Sequence, residues 1–153
     1  MAYYEIVSNQ QGAKAEDWPV KSTVSVADAS AGKWVEQDSN NEAVQANDGS
    51  TGAAITTNQK GSMRPIWSGK ESPDAVELDQ VTTVYGAHEA LTDGYVEDPT
   101  ALGTPRPAWA KNQPVVVIDG LLAPCLVGTD EQFAVGYVKE TADANSRMRF
   151  HIF

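Results

Sequence analysis

Apolar positions are spread unevenly along this chain, and its two halves carry different patterns. From residue 81 onward they gather in short runs of strand length. Val81-Thr82-Thr83-Val84-Tyr85 is rich in β-branched side chains, which pack well on a pleated surface. Val115-Val116-Val117-Ile118 is uninterrupted, which predicts burial on both faces. Asp119-Gly120 divides it from the run 121–127, and an Asp-Gly pair between two apolar runs predicts a tight hairpin. Pro124 removes a ladder donor, so the second run belongs at a sheet edge or carries a bulge. Residues 134–140 predict another strand, with Gly136 at a close approach or bulge. The last strand alternates: Met148, Phe150 and Ile152 share one face, and Arg147, Arg149 and His151 the other. Phe153 falls on the Arg face and is free to pack elsewhere. Residues 63–67 form one more short strand candidate. The predicted core is Val115, Val117, Leu121, Leu126, Val135, Val138, Phe150 and Ile152.

The leading 60 residues are rich in Ala, Ser, Thr, Asn and Gln and poor in large apolar side chains. Tyr3, Ile6 and Val7 make a short apolar start, and Val20, Val24 and Val26 another. The polar stretch between them can bury little, so residues 1–30 read as an extended arm with a few anchor points, and 31–153 as a single β domain. Residues 37–52 are polar and end near Asn47-Asp48-Gly49, a turn signal, so a surface loop is expected there. Helix signals are weak. Residues 74–79 and 86–91 could each form one turn, and neither supports a long amphipathic helix. Short strands with Gly and Pro turns predict an all-β fold with little helix, a small antiparallel barrel or sandwich of β-tulip-like shape, preceded by the arm.

Composition sharpens this picture. The chain has 153 residues, enough for one domain with a core of ordinary size. Val outnumbers Leu by 16 to 6, which favours strand. The formal charge is −10, from 21 acidic against 11 basic residues. A surface that acidic repels phosphate backbones and anionic membranes, so neither nucleic acid nor membrane is an expected partner. Cys125 is the one cysteine, so no intrachain disulfide framework is possible. Met-Ala-Tyr-Tyr-Glu at the start has no basic region followed by an apolar run, so no secretory signal is expected.

Tests for catalytic and cofactor chemistry give little. No phosphate-cradling Gly-Lys-Ser or Gly-Lys-Thr occurs. His88-Glu89-Ala90-Leu91-Thr92 opens like a zinc-protease helix but has Thr92 where a second His is needed. His88 and His151 read as structural or surface histidines. Asp38, Asn40 and Glu42 have alternating spacing, but Ala43 stands where a calcium loop needs Gly. Asp93, Glu97 and Asp98 read as the charged flanks of a solvated turn without bound metal. Cys125, inside an apolar run, reads as an inert small hydrophobe. Trp18, Trp34, Trp67 and Trp109 read as pins for loops and arms ahead of stacking platforms. No catalytic residue, cofactor or metal site is expected, and the chain does not read as an enzyme.

The span 81–153 resembles the head decoration, or cement, proteins of tailed bacteriophages. The residues carrying the resemblance are Tyr85-Gly86, Thr92-Asp93-Gly94-Tyr95-Val96, a connection through Pro105 and Pro107, Gln113-Pro114-Val115-Val116-Val117, Asp119-Gly120-Leu121-Leu122-Ala123-Pro124, Val135-Gly136-Tyr137-Val138 and Met148-Arg149-Phe150. The resemblance implies a structural virion protein on the capsid exterior, made in the host bacterial cytoplasm. It would bind the major capsid protein and itself, as a homotrimer or homodimer, and stabilise the shell. An arm suits such assembly because an extended segment can add a strand to a neighbour's sheet edge. Tyr3, Tyr4, Ile6 and Val7 would anchor it, and Trp18 before Pro19 would fix its exit point. The alternatives are a carbohydrate-binding β-sandwich module, a head-fibre or tail component, and a small enzyme using paired carboxylates.

Overall fold

A computed structural model of the chain describes residues 2–8, 12–46, 63–69 and 80–153. Their strands form two antiparallel sheets. In chain order the strands are β1 (Tyr4–Ser8), β2 (Lys14–Pro19), β3 (Trp34–Gln37), β4 (Ala43–Gln45), β5 (Arg64–Ser68), β6 (Gln80–Tyr85), β7 (His88–Thr92), β8 (Pro114–Ile118), β9 (Leu121–Pro124), β10 (Gly136–Glu140) and β11 (Met148–Ile152). The first sheet has the order β1-β7-β11-β10-β8-β9 and the second β2-β6-β5-β3-β4. The two sheets pack as a sandwich, and the described strands close no barrel.

The apolar runs form the strands their patterns predict. Ile118 pairs with Leu121 across Asp119-Gly120. Both turn residues have positive φ, 47° and 78°, as a two-residue turn matched to strand twist requires. Pro124 ends β9, an outermost strand, where its missing N–H leaves no ladder bond unmade. Gly136 faces the backbone of β11 so closely that an added Cβ would stand 2.1 Å from the His151 carbonyl oxygen.

The main core lies between the sheets. Val115, Val117, Val138, Met148, Phe150 and Ile152 from the first sheet meet Trp34, Met63 and Val84 from the second. Successive strand residues point to opposite faces, so Val116, Ile118, Ala123 and Cys125 lie on the other side of β8–β9. There Val96, Leu102 and Phe133 cover them. That second layer is why 115–118 has no polar position. A third cluster, Trp18, Val20, Ala29, Val35, Ala43, Ile66 and Val81, fills the far face of the second sheet. Of the predicted core, Leu121 and Leu126 are half-buried, because they flank a hairpin at the sheet edge, and the other six are buried.

Three expectations need correction. Residues 1–30 do not form an arm that leaves the domain. Tyr4–Ser8 pairs with β7 as the outer strand of the first sheet, and Lys14–Pro19 pairs with β6 as the outer strand of the second. Two well-placed side chains, Tyr4 and Trp18, suffice to bury an otherwise polar segment, because the sheet edges satisfy its backbone. The loop expected over 37–52 contains a hairpin. Ala43–Gln45 pairs with β3, and Asp38 Oδ1 accepts the backbone N–H groups of Asn40 and Glu42 in the turn. Residues 86–91 form no helical turn. His88, Ala90 and Thr92 are buried alternately with half-buried Glu89 and Leu91, the period of a strand, and β7 lies between β1 and β11. The turn Asn47-Asp48-Gly49 and the helical candidate 74–79 lie outside the described residues. Helix among the described residues amounts to two 3-10 turns, Pro99–Ala101 and Glu131–Phe133.

Candidate functional site

The residues expected to anchor a neighbour are engaged within their own chain. Tyr4 is 6% exposed, and its hydroxyl lies 2.5 Å from His88 Nε2. Trp18 is 4% exposed and donates its indole N–H to Glu16 Oε1 at 2.8 Å. Tyr3 is half-buried: its ring lies under the Arg147 guanidinium at 3.5 Å, its backbone N–H donates to Asp93 Oδ1, and its hydroxyl donates to Glu5. Ile6 packs on the main core and Val7 is half-buried. The structure thus brings Tyr3, Tyr4, Ile6 and Val7 together on β1 and its approach, with Trp18 on the opposite sheet. None of the five projects as an unoccupied anchor.

A cleft of about 320 Å³ lies where strand ends of the two sheets meet, at one end of the sandwich. Its wall takes Trp34, Met63, Pro65 and Val84 from the second-sheet side and Val135 and Ile152 from the first. Tyr85, Phe153 and Arg64 complete the lining. Tyr85 and Phe153 are among the few large apolar side chains that remain exposed, Phe153 at 52%. Arg64 is held in place by two rings: its guanidinium lies 4.5 Å from the Trp18 ring centroid and 4.3 Å from that of Tyr85. Glu16 Oε1 stands 3.4 Å from its Nη1. The indole N–H of Trp34, a residue 2% exposed, is buried and has no hydrogen-bond partner among the described residues. Buried donors nearly always find an acceptor, and an unmade bond of this kind costs about 1–3 kcal/mol. The sequence offered Trp34 as a pin and Tyr85 only as the end of a strand and part of the resemblance, and it did not single out Arg64. Arg64 and Tyr85 meet only through the pairing of β5 and β6 at their ends.

Other chemistry-bearing residues serve the fold. Asp98 caps the turn Pro99–Ala101, accepting from the Thr100 backbone N–H and hydroxyl. Asp93 receives the Tyr3 N–H, and Glu97 is exposed. Among the described residues no three His, Cys, Asp or Glu side chains gather where they could hold a metal ion. Arg106 and Asp130 form a buried ion pair at 2.8 Å, and Asp130 Oδ1 also accepts the Leu126 N–H. Burial pushes the Cys125 thiol up to about 12, so it carries almost no thiolate at neutral pH. Arg149 and Lys139 flank Glu89 on the outer face, and the Arg149 hydrogen bond holds its carboxyl below the ordinary value. Beside them Tyr137 and His151 stack at 5.0 Å. Trp109 donates to the Val96 carbonyl and packs edge-on against Phe150, pinning a loop as expected, whereas Trp67 is exposed.

No protein-family model matches the chain, and neither does any curated protein or solved structure. No helix among the described residues is long and apolar enough to cross a membrane.

Proposed function

We propose that this chain is a structural virion protein of the capsid decoration type, which binds the outside of a phage capsid lattice through the major capsid protein and stabilises it. One observation carries the reading. Of the stretches that resemble decoration proteins, those at 113–117, 119–124, 135–138 and 148–150 fall on β8, β9, β10 and β11, neighbouring strands of one sheet, whereas Tyr85-Gly86 ends β6 of the other sheet and 93–96 and Pro105 to Pro107 lie in connections. That concentration on one sheet supports the reading. To the same sheet β1 adds an outermost strand, the geometry by which extended segments dock on sheet edges. β1 and β2 are outer strands of their two sheets, and edge strands are where a further protein strand can pair. A charge of −10 suits a protein placed on a shell exterior, away from packaged nucleic acid. In this reading the protein assembles in the bacterial cytoplasm and acts as a homotrimer or homodimer.

The deciding experiment mixes purified protein with expanded, undecorated capsids and measures co-sedimentation. Saturable binding of a fixed number of copies, with increased heat resistance of the shell, is the expected result. Capsids that sediment without it overturn the proposal. A carbohydrate-binding module is the second reading, favoured by the exposed rings of Tyr85 and Phe153 at the cleft. Retention on a polysaccharide by a protein that elutes as a monomer would select it.

A further inference from the structure

We infer that the outer face of strands β1, β7, β11 and β10 is a self-association surface, on which a second copy of the chain packs about a two-fold axis parallel to the strands. The inference deepens the homo-oligomer part of the proposed function, on which its premise that copies meet rests, and it selects two copies.

The other strand faces are occupied. The inner faces form the main core, Val96, Leu102 and Phe133 cover β8–β9, and Val20, Val24 and Ala29 pack on the far face of the second sheet. On the outer face of β1, β7, β11 and β10 the side chains stay exposed or half-buried. Strand pairing sets them in rows, because residues opposite each other share a face. One row is Glu5, Leu91, Arg149 and Glu140, and the next is Ser8, Glu89, His151 and Tyr137.

Charge divides this face by strand. Glu5 and Glu89 lie on β1 and β7, and Lys139 and Arg149 on β10 and β11. Asp93, just past β7, and Arg147, just before β11, extend the division. Glu140, at the end of β10, is the exception. A copy related by an axis in the plane of contact, parallel to the strands and between β7 and β11, lays its β11 over β7 and its β10 over β1. The acidic half then meets the basic half. An axis running across the strands would lay acid on acid. The parallel axis also keeps the strands of the two faces aligned, as in stacked sheets. The centre of the face is neutral, because Glu89 holds Arg149 at 2.8 Å and Lys139 at 3.4 Å. Half-buried Leu91 and the stacked rings of Tyr137 and His151 give it apolar contact area. A chain of charge −10 that met its copy through an acidic surface would instead be repelled. Four strands about 4.8 Å apart and about 17 Å long make a small face, in the size class of weak, exchanging complexes.

The test is sedimentation velocity of the full chain from about 10 µM to 1 mM, the range of weak association. A reversible monomer–dimer equilibrium is expected. In the two-fold arrangement Glu5 lies opposite the second copy's Glu140, a like-charged pair. Glu140→Lys and Glu5→Lys should each turn it into an opposite pair and tighten the dimer about two- to fivefold, the strength of exposed ion pairs. Both positions are exposed, so the fold tolerates either change. The double variant sets lysine opposite lysine and should fall back to about the strength of the unaltered chain. A double variant that associates more tightly than either single one would show that reduced net charge alone is at work, and it overturns the inference. So does a monomer at every concentration, a trimer, or single variants that associate no better than the unaltered chain. Capsid co-sedimentation of the unaltered protein separates the two proposals. A monomer that binds capsids removes the dimer face and leaves the decoration reading. A dimer that ignores capsids does the reverse.

Discussion

The Tyr4 hydroxyl donates a hydrogen bond to His88 Nε2 across 2.5 Å, joining the outer strand β1 to its neighbour β7. The direction follows from the other ring nitrogen. His88 Nδ1 lies 2.8 Å from the Gly86 carbonyl, which can only accept, so Nδ1 bears the hydrogen and Nε2 of the neutral ring is the acceptor. Both residues are buried, and their rings meet edge-on at 5.9 Å. Tyr4→Phe keeps the ring and strips the donor from a buried acceptor. Chemical denaturation should show a loss of about 1–3 kcal/mol. An unchanged midpoint would mean that water replaces the hydroxyl.

The same pair gives the fold a pH dependence. Burial is the main cause that lowers the His88 pKa from its ordinary 6.5, against the opposing Gly86 bond. The unfolded chain therefore takes up a proton at higher pH than the folded one. The stability contributed by neutral His88 is complete above 6.5 and is lost as pH falls from there through the lower folded value. The denaturation midpoint should drop from neutral pH to about pH 5, in the range where histidine titrates. A rise over that range would contradict the assignment.

Deleting residues 2–15 should destabilise the domain. The deletion removes β1, uncovers the edge of β7 and takes Tyr4 out of the main core. Loss of a buried large aromatic side chain alone costs about 3–5 kcal/mol. A thermal melt indistinguishable from that of the full chain would place β1 outside the cooperative unit and restore the free arm.

Phe150 is fully buried between the sheets, with the rings of Tyr95 and Trp109 at 6.4 and 5.9 Å. Phe150→Ala should lose about 3–5 kcal/mol in urea denaturation. A loss well below that range would show that the sandwich collapses into the space.

The Arg106–Asp130 pair predicts non-additivity. Asp130→Ala leaves the Arg106 guanidinium buried without its carboxylate and should cost about 3–5 kcal/mol. Adding Arg106→Met removes the stranded charge and should recover part of the loss. Losses that simply add would show that the two side chains act independently.

Cys125 should resist thiol reagents in the native state. It is buried, and its thiol is pushed up to about 12. Rapid labelling by a thiol-reactive dye at neutral pH, matching that of the denatured chain, would contradict this.

The sequence by itself determined the strands of the second half. Alternation in 148–152, the Asp119-Gly120 turn and the position of Pro124 are local rules of backbone and side-chain direction, and each holds in the fold. Burial of Val116 on the face away from the sandwich interior was equally legible, because a run without polar positions needs cover on both sides. The tertiary structure decided the fate of residues 4–19. Their composition is too polar to predict a place in the domain's own sheets, and their order comes from edges supplied by β7 and β6, more than 60 residues away. It also decided 88–92, where a helical-looking composition yields to a strand held on both sides. The cleft belongs wholly to this level. Trp34, Arg64, Tyr85 and Val135 have no common spacing in the chain, and they converge because two sheets stack and strand ends meet. A pattern along a strand reports which face is buried; it carries no record of which strand lies opposite.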